Sequence, residues 1–176
     1  MRVVAGELRG RRLASPPRRS AGTVRPTSDR AREALFSSLG DVGGARVLDL
    51  FCGTGALAIE ALSRGAASAV LVDTKPELAR RNVDDLGLGD RCEVVRADAL
   101  RYLERTGERF DLVLCDPPYR FAPRLGPELD RLLADRLEPG GRVVVESAVR
   151  EPLELKLPLL RQREYGEALI RIHGKQ

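Results

Sequence analysis

The sequence predicts a doubly wound α/β fold: a mostly parallel seven-stranded sheet with a small β-hairpin extension at its amino end. Three observations carry this expectation. From Ala45 onward, short apolar segments alternate with helical patterns. Those segments are apolar at consecutive positions rather than at every second one, as strands covered on both faces must be. A glycine-rich turn joins the first strand to the first helix of this series, and a pair of strands turning about Gly166 closes the chain. Helices on both faces of a parallel sheet satisfy all three.

The elements follow in order. Residues 3–13 hold two short apolar stretches parted by Gly6 and Gly10, a small hairpin or extended arm. Residues 15–22, rich in Pro, Ser and Arg, read as a linker. Thr27 or Ser28 is expected to cap a helix whose buried stripe is Ala31, Leu35 and Leu39, ended by Gly43-Gly44. Strands are expected at residues 46–50, 69–73, 93–96, 110–116 and 142–146, with helices at 57–64, 76–86 and 99–104 between them. A further helix near 125–137 should stop at Pro139-Gly140-Gly141, before the fifth strand. Residues 159–165 and 168–172 form the closing antiparallel pair. Residues 1–24 are expected to be a basic arm and 25–176 a single domain.

Composition narrows the function classes. The 176 residues are 43% apolar and 32% charged, enough for one cored domain and unlike a disordered chain. No apolar run reaches the roughly 18 residues of a membrane span, and the start lacks a secretory signal, so a cytoplasmic protein is expected. Cys52, Cys92 and Cys115 are too few and too far apart for a disulfide framework or zinc site, and His173 is the only histidine, so no metal is expected. Cys52 and Cys115 read as packing residues. Residues 1–35 carry nine arginines against three acids, so the net charge of +4 resides entirely in that segment. A basic arm on a mildly acidic body fits a polyanion, and arginine rather than lysine suits phosphates and stacked bases.

Two motifs carry chemistry. Asp49-Leu50-Phe51-Cys52-Gly53-Thr54-Gly55-Ala56-Leu57-Ala58 joins the first strand to its helix, where such sheets bind ligands. Gly53 and Gly55 permit a tight turn and close ligand approach. Asp73 ends the second strand, where it can accept from a ribose diol, and Asp98 follows the third, at the edge expected for an adenine. The same spacing satisfies the looser dinucleotide fingerprint. Asp49 argues against that alternative, because a carboxylate there opposes a pyrophosphate and suits the sulfonium and ammonium of S-adenosylmethionine. The candidate cofactor residues are Asp49, Phe51, Gly53, Thr54, Gly55, Ala56, Leu57, Asp73, Thr74, Asp98, Ala99 and Asp116.

Asp116-Pro117-Pro118-Tyr119 ends the fourth strand, which is expected to lie beside the first. An exocyclic base amine is a weak nucleophile, its lone pair delocalised into the ring. The Asp116 carboxylate and the Pro117 carbonyl can accept its two protons and aim the lone pair at a methyl group. The prolines stiffen these acceptors, and Tyr119 can stack the base. Asp116, Pro117 and Tyr119 are the catalytic candidates. Attack on a sulfonium dissipates charge and requires positioning more than acid-base strength, so scarce histidine is no objection.

Together with Arg9-Gly10-Arg11-Arg12-Leu13, the segment Arg25-Pro26-Thr27-Ser28-Asp29-Arg30-Ala31-Arg32-Glu33-Ala34-Leu35-Phe36, residues 59–66 and Glu146-Ser147, these motifs resemble the bacterial 16S rRNA guanine-N2 methyltransferases of the RsmD family over almost the whole chain. The resemblance implies a Rossmann-like class I S-adenosylmethionine-dependent methyltransferase. Its substrate would be a guanine N2 of 16S rRNA in a small-subunit assembly intermediate, and the enzyme a monomer. By the family's pattern, Arg25 to Arg30 lie over cofactor and base, and Arg9, Arg11, Arg12, Arg25 and Arg30 contact RNA. Cys52 stands where alanine is frequent and Asp73 where glutamate is frequent, both mild departures. An adenine-N6 methyltransferase on DNA or RNA, a protein-glutamine methyltransferase, a non-catalytic RNA-binding protein and a dehydrogenase are the alternatives.

Overall fold

The computed structural model describes residues 1–16, 29–118 and 122–175. The elements run α1 (Asp29–Leu39), β1 (Arg46–Leu50), α2 (Ala56–Ser63), β2 (Ser68–Asp73), α3 (Glu77–Asp85), β3 (Cys92–Arg96), α4 (Ala99–Arg105), β4 (Phe110–Cys115), α5 (Ala122–Leu133), β5 (Leu137–Ala148), β6 (Leu159–Tyr165) and β7 (Ala168–Gly174). The seven strands make one sheet in the order β3-β2-β1-β4-β5-β7-β6. The first five in that order are parallel, and β7 runs antiparallel to both β5 and β6. The chain leaves β1 toward β2 and resumes at β4 on the other side, so strand order reverses between β1 and β4.

Strands apolar at consecutive positions bury both faces. Leu48, Leu50, Val70, Val72, Val113 and Cys115 pack with Leu103 of α4 and Leu129 and Leu133 of α5. Val47, Leu71, Leu112 and Leu114 pack with α1, α2 and α3 on the other face, in a core that also takes Val3 and Leu13. Each such side chain contributes about 1.5–3 kcal/mol by leaving water.

Two features differ from the sequence expectation. α5 stops at Leu133, and β5 begins at Leu137 and passes through Pro139-Gly140-Gly141. Phe110 pairs with Leu137 but Leu112 with Arg142, so residues 138–141 bulge out of the ladder. Pro139 has no N–H for a ladder, Gly140 adopts φ +75°, and a β-carbon on Gly141 would stand 2.8 Å from the Glu138 carbonyl. The turn signal was real, but it marks a bulge rather than a helix end. The buried residues of α1 are Arg32, Leu35, Phe36 and Leu39, whereas Ala31 is only half-buried; the helix is rotated so that a guanidinium enters the interior. Arg32 is accommodated there by donating to Asp29 Oδ1 at 2.7 Å and to the Arg2 carbonyl. The expected caps, Thr27 and Ser28, and the boundary after residue 24 lie outside the described residues.

The hairpin expected over residues 3–13 is present, seated against the domain. Arg2 bridges Arg12, and Val3 N donates to Arg11 O at 3.0 Å. Val3 and Leu13 are both buried in the core.

Candidate active site

Parallel strands bring their carboxyl ends to one rim, and the glycine loop lies there between Leu50 and α2. Phe51 (φ 61°), Gly53 (φ 53°) and Gly55 (φ 76°) all have left-handed backbone, Phe51 alone among the described non-glycine residues. That conformation costs a residue with a β-carbon about 1–2 kcal/mol. It persists at Phe51 because the ring packs against the α4/α5-side core and Cys52 N donates to Val72 O at 3.1 Å. Gly55 is sterically required as well, since its β-carbon would meet Leu71 Cδ2 at 2.7 Å. Above Gly53 the space is open, with nothing nearer than the Phe51 carbonyl at 4.0 Å. Thr54, Ala56 and Leu57 continue this turn into α2.

Three carboxylates stand at or just past the carboxyl ends of β1, β2 and β3. Asp49 is 1% exposed, and its Oδ2 accepts from Ala58 N at 3.2 Å. Burial pushes its pKa up to about 7; the Ala58 bond lowers it, and the charge of Asp73 raises it again. Asp73 ends β2, taking Gly53 N on Oδ2 at 2.9 Å and Lys75 N on Oδ1 at 2.8 Å, with exposed Thr74 next to it. Asp98 caps α4, accepting from Leu100 N and Arg101 N on Oδ1 at 3.1 Å each, and Ala99 begins the helix, buried. Asp73 therefore holds the loop itself and Asp49 the helix the loop runs into, whereas Asp98 holds the start of α4. Their chemistry fits S-adenosylmethionine: like charges meet a pyrophosphate with repulsion, whereas a sulfonium, an ammonium, a diol and an amine meet them as cations or donors.

β4 lies directly beside β1, with Leu50 paired to Cys115, and Cys115 is paired in turn with Val145 of β5. Neighbouring strands are about 4.8 Å apart, so Asp116 and Phe51 leave the sheet side by side. Asp116 is half-buried, Pro117 buried and Pro118 exposed. Tyr119 and Arg25 lie outside the described residues. Past Val145, β5 carries buried Glu146 and Ser147, and the Ser147 hydroxyl has no hydrogen-bond partner among the described residues. Burial, followed by nearby carboxylates, holds the Cys52 and Cys115 thiols far above their ordinary range. They are protonated packing groups.

The hairpin clasps the two helices that flank the loop. On α2, Glu60 accepts from Val4 N and Ala5 N at 2.8 and 3.0 Å, and Ser63 Oγ accepts from Leu8 N at 2.9 Å. On α3, Asn82 bonds both backbone groups of Ala14. Arg9, Arg11 and Arg12 are exposed on the hairpin, and Arg30 is exposed on α1. Glu60, Ser63 and Asn82 went unnoticed in the sequence reading. A charge inside Ala-Leu-Ala-Ile-Glu-Ala-Leu-Ser, a helix buried at all eight positions, was the available signal, because such a group must find partners. Also unnoticed was a cavity of about 430 Å³ beyond Asp98, lined by Arg96, Arg101, Arg105 and Tyr102. Arg101 and Arg105 are spaced i, i+4 on one face of α4.

Residues 1–174 match the family model described as conserved hypothetical protein 95. The chain is 34% identical over 184 residues to ribosomal RNA small subunit methyltransferase D of Escherichia coli K12, covering 100% of this chain and 90% of that protein. It superposes on a hypothetical protein of Thermus thermophilus with a TM-score of 0.82 and 34% identity, over 98% of each chain. A Salinibacter ruber RNA methyltransferase in complex with S-adenosyl-L-homocysteine shares the fold, with a TM-score of 0.64 and 20% identity over 85% of this chain and 93% of that one.

Proposed function

Since the chain belongs to the conserved hypothetical protein 95 family, the RsmD family of ribosomal RNA methyltransferases, we propose that it methylates the exocyclic N2 of a guanine in 16S rRNA. The coarser activity, S-adenosylmethionine-dependent methylation of ribosomal RNA, comes with membership. The pairing of Leu50 with Cys115, which sets Asp116 beside the glycine turn, is the observation that supports the finer chemistry.

S-adenosylmethionine, when bound, supplies a methyl group on a sulfonium. Gly53 and the peptide from Phe51 to Leu57 would let it approach, with Asp49 opposite its cationic end, Asp73 and Thr74 at the ribose, and Asp98 and Ala99 at the adenine. Asp116 and the Pro117 carbonyl hold the two N2 protons, so the nitrogen pyramidalises and its lone pair points along the reacting axis. The bound cofactor would supply its methyl group to that nitrogen, and Asp116 would take the surplus proton from the nitrogen and pass it to water. The products are N2-methylguanine and S-adenosylhomocysteine. Tyr119 stacks the base, and the half-buried Phe51 ring helps keep water from the rim.

A base within structured RNA must be extruded first, at a few kcal/mol. Phosphate contacts by Arg9, Arg11, Arg12, Arg25 and Arg30 offset that, and Arg101 and Arg105 extend the basic surface past Asp98. The substrate is an assembling small subunit, met in the cytoplasm by a monomeric enzyme. The test is methyl transfer to undermethylated small subunits, intact and stripped of protein, followed by mass analysis of the nucleosides. Wild type should yield N2-methylguanine, and Asp116→Ala should lose on the order of 10²-fold in turnover. Recovery of N6-methyladenine instead would move the enzyme to the adenine class.

A further inference from the structure

We propose that Asn82 is a positioning residue that ties the hairpin to the cofactor loop, so that hairpin docking sets cofactor affinity. This rests on the reading of residues 51–57 as the cofactor loop. Asn82 lies on α3 and is 1% exposed. Its Nδ2 donates to the Thr54 carbonyl at 2.8 Å and to the Ala14 carbonyl at 3.1 Å, while its Oδ1 accepts from Ala14 N at 2.7 Å. A single primary amide thus spends both donors and its acceptor on two segments far apart in the chain.

Thr54 stands between two glycines of positive φ, in backbone with little stiffness of its own. The loop is held from outside at a few points. Asp73 takes Gly53 N, Leu71 and Ala79 pack against Gly55, and Asn82 takes Thr54 O. If the end of the hairpin lifts, Asn82 loses two of its three bonds, and the amide that donates to the Thr54 carbonyl is no longer held in orientation. The hairpin is also bound to α2, the helix the loop runs into, through Glu60 and Ser63. A β-carbon at Gly6 would stand 1.8 Å from the Ser63 carbonyl, so only glycine allows this seating. Arg9, Arg11 and Arg12 belong to the same hairpin, so phosphates that hold it docked also hold the loop. Coupling of this kind is reciprocal: bound cofactor favours the docked hairpin to the same degree.

The test uses the whole chain, calorimetric titration with S-adenosylhomocysteine, and the variants Asn82→Asp and Leu13→Ala, singly and together. Asn82→Asp keeps size and acceptor but loses both donated bonds, and should weaken binding about tenfold. Leu13→Ala loosens the hairpin without touching the loop. It should weaken binding several-fold in the wild-type background and add nothing to Asn82→Asp. In turnover, Asn82→Asp should raise the cofactor KM while kcat at saturation is kept, whereas general structural damage would lower kcat. If Asn82→Asp does not fold by circular dichroism, Asn82→Ala is read the same way. Binding by a folded variant within twofold of wild type, or additive effects of the two substitutions, would overturn the proposal. Hydrogen exchange at residues 53–57 without ligand should quicken in both single variants. If wild type itself bound no S-adenosylhomocysteine, the cofactor reading would fail, and the exchange measurement alone would still decide the tie.

Discussion

The Asp49 carboxylate caps α2 from a neighbouring strand, accepting the Ala58 amide at 3.2 Å, while the residue at the cap position is Gly55, which has no side chain to offer. The helix start needs an acceptor, and the turn before it needs a glycine; one residue cannot be both. The acid we propose faces the cationic end of the ligand is therefore also part of the scaffold that starts α2.

That burial has a pH signature. Folded Asp49 titrates near 7 against 3.8 in the open chain. Between those values the native state holds a proton that the unfolded state has released, so stability falls as pH rises from about 4 to about 7, by at most about 4 kcal/mol, then levels. Asp49→Asn retains an acceptor and cannot ionise. Its melting temperature should exceed that of wild type near pH 8 and converge with it near pH 4. Identical melting profiles for the two proteins would show that Asp49 is not desolvated.

Gly53 and Gly55 should separate under substitution. Gly55→Ala adds a clash with Leu71 to an unfavourable φ, and should cost roughly 2–3 kcal/mol in chemical denaturation together with cofactor binding. Gly53→Ala meets open space and should cost only about 1 kcal/mol of stability, while S-adenosylhomocysteine affinity falls at least as far as in Gly55→Ala. Unchanged affinity in Gly53→Ala would place the ligand elsewhere.

Changing Arg11 and Arg12 to Ala removes exposed charge while leaving Val3, Leu13 and Ala14 seated. RNA affinity should drop, and the slope of log affinity against log salt should shrink by roughly 1.5. S-adenosylhomocysteine affinity measured without RNA should not move. A lost cofactor site in this variant would contradict the separation of the two surfaces.

The cysteines should be inert. Burial pushes Cys92 to about 12 and Cys52 and Cys115 further up. An alkylating reagent should leave the folded protein unmodified near pH 8 over hours and label all three thiols in denaturant. Rapid labelling of the native chain would mean that one of them is exposed and ionised.

Much of the fold was legible because parallel strands and their glycine turns leave local marks. Strands β1 to β4 start and end within about a residue of expectation, since runs such as Val-Leu-Asp-Leu-Phe and Leu-Val-Leu-Cys-Asp cannot be solvated on either face. The order that puts β4 beside β1 followed from the architecture. The bulge at Pro139-Gly140-Gly141 was misplaced because a turn signal states only that regular pairing lapses, not which element it interrupts.

The sequence by itself determined the parallel sheet, the rim on which Asp49, Gly53, Gly55, Asp73, Asp98 and Asp116 stand, and the concentration of positive charge near the amino end, because each depends on residues close together in the chain. Only the tertiary structure decided which partners those groups take. Arg32 and Glu60 are interior charges satisfied by hairpin backbone, and Asn82 joins Ala14 to Thr54. Such contacts pair one side chain with the main chain of a distant segment, and a carbonyl or amide carries no residue identity that a linear pattern could display.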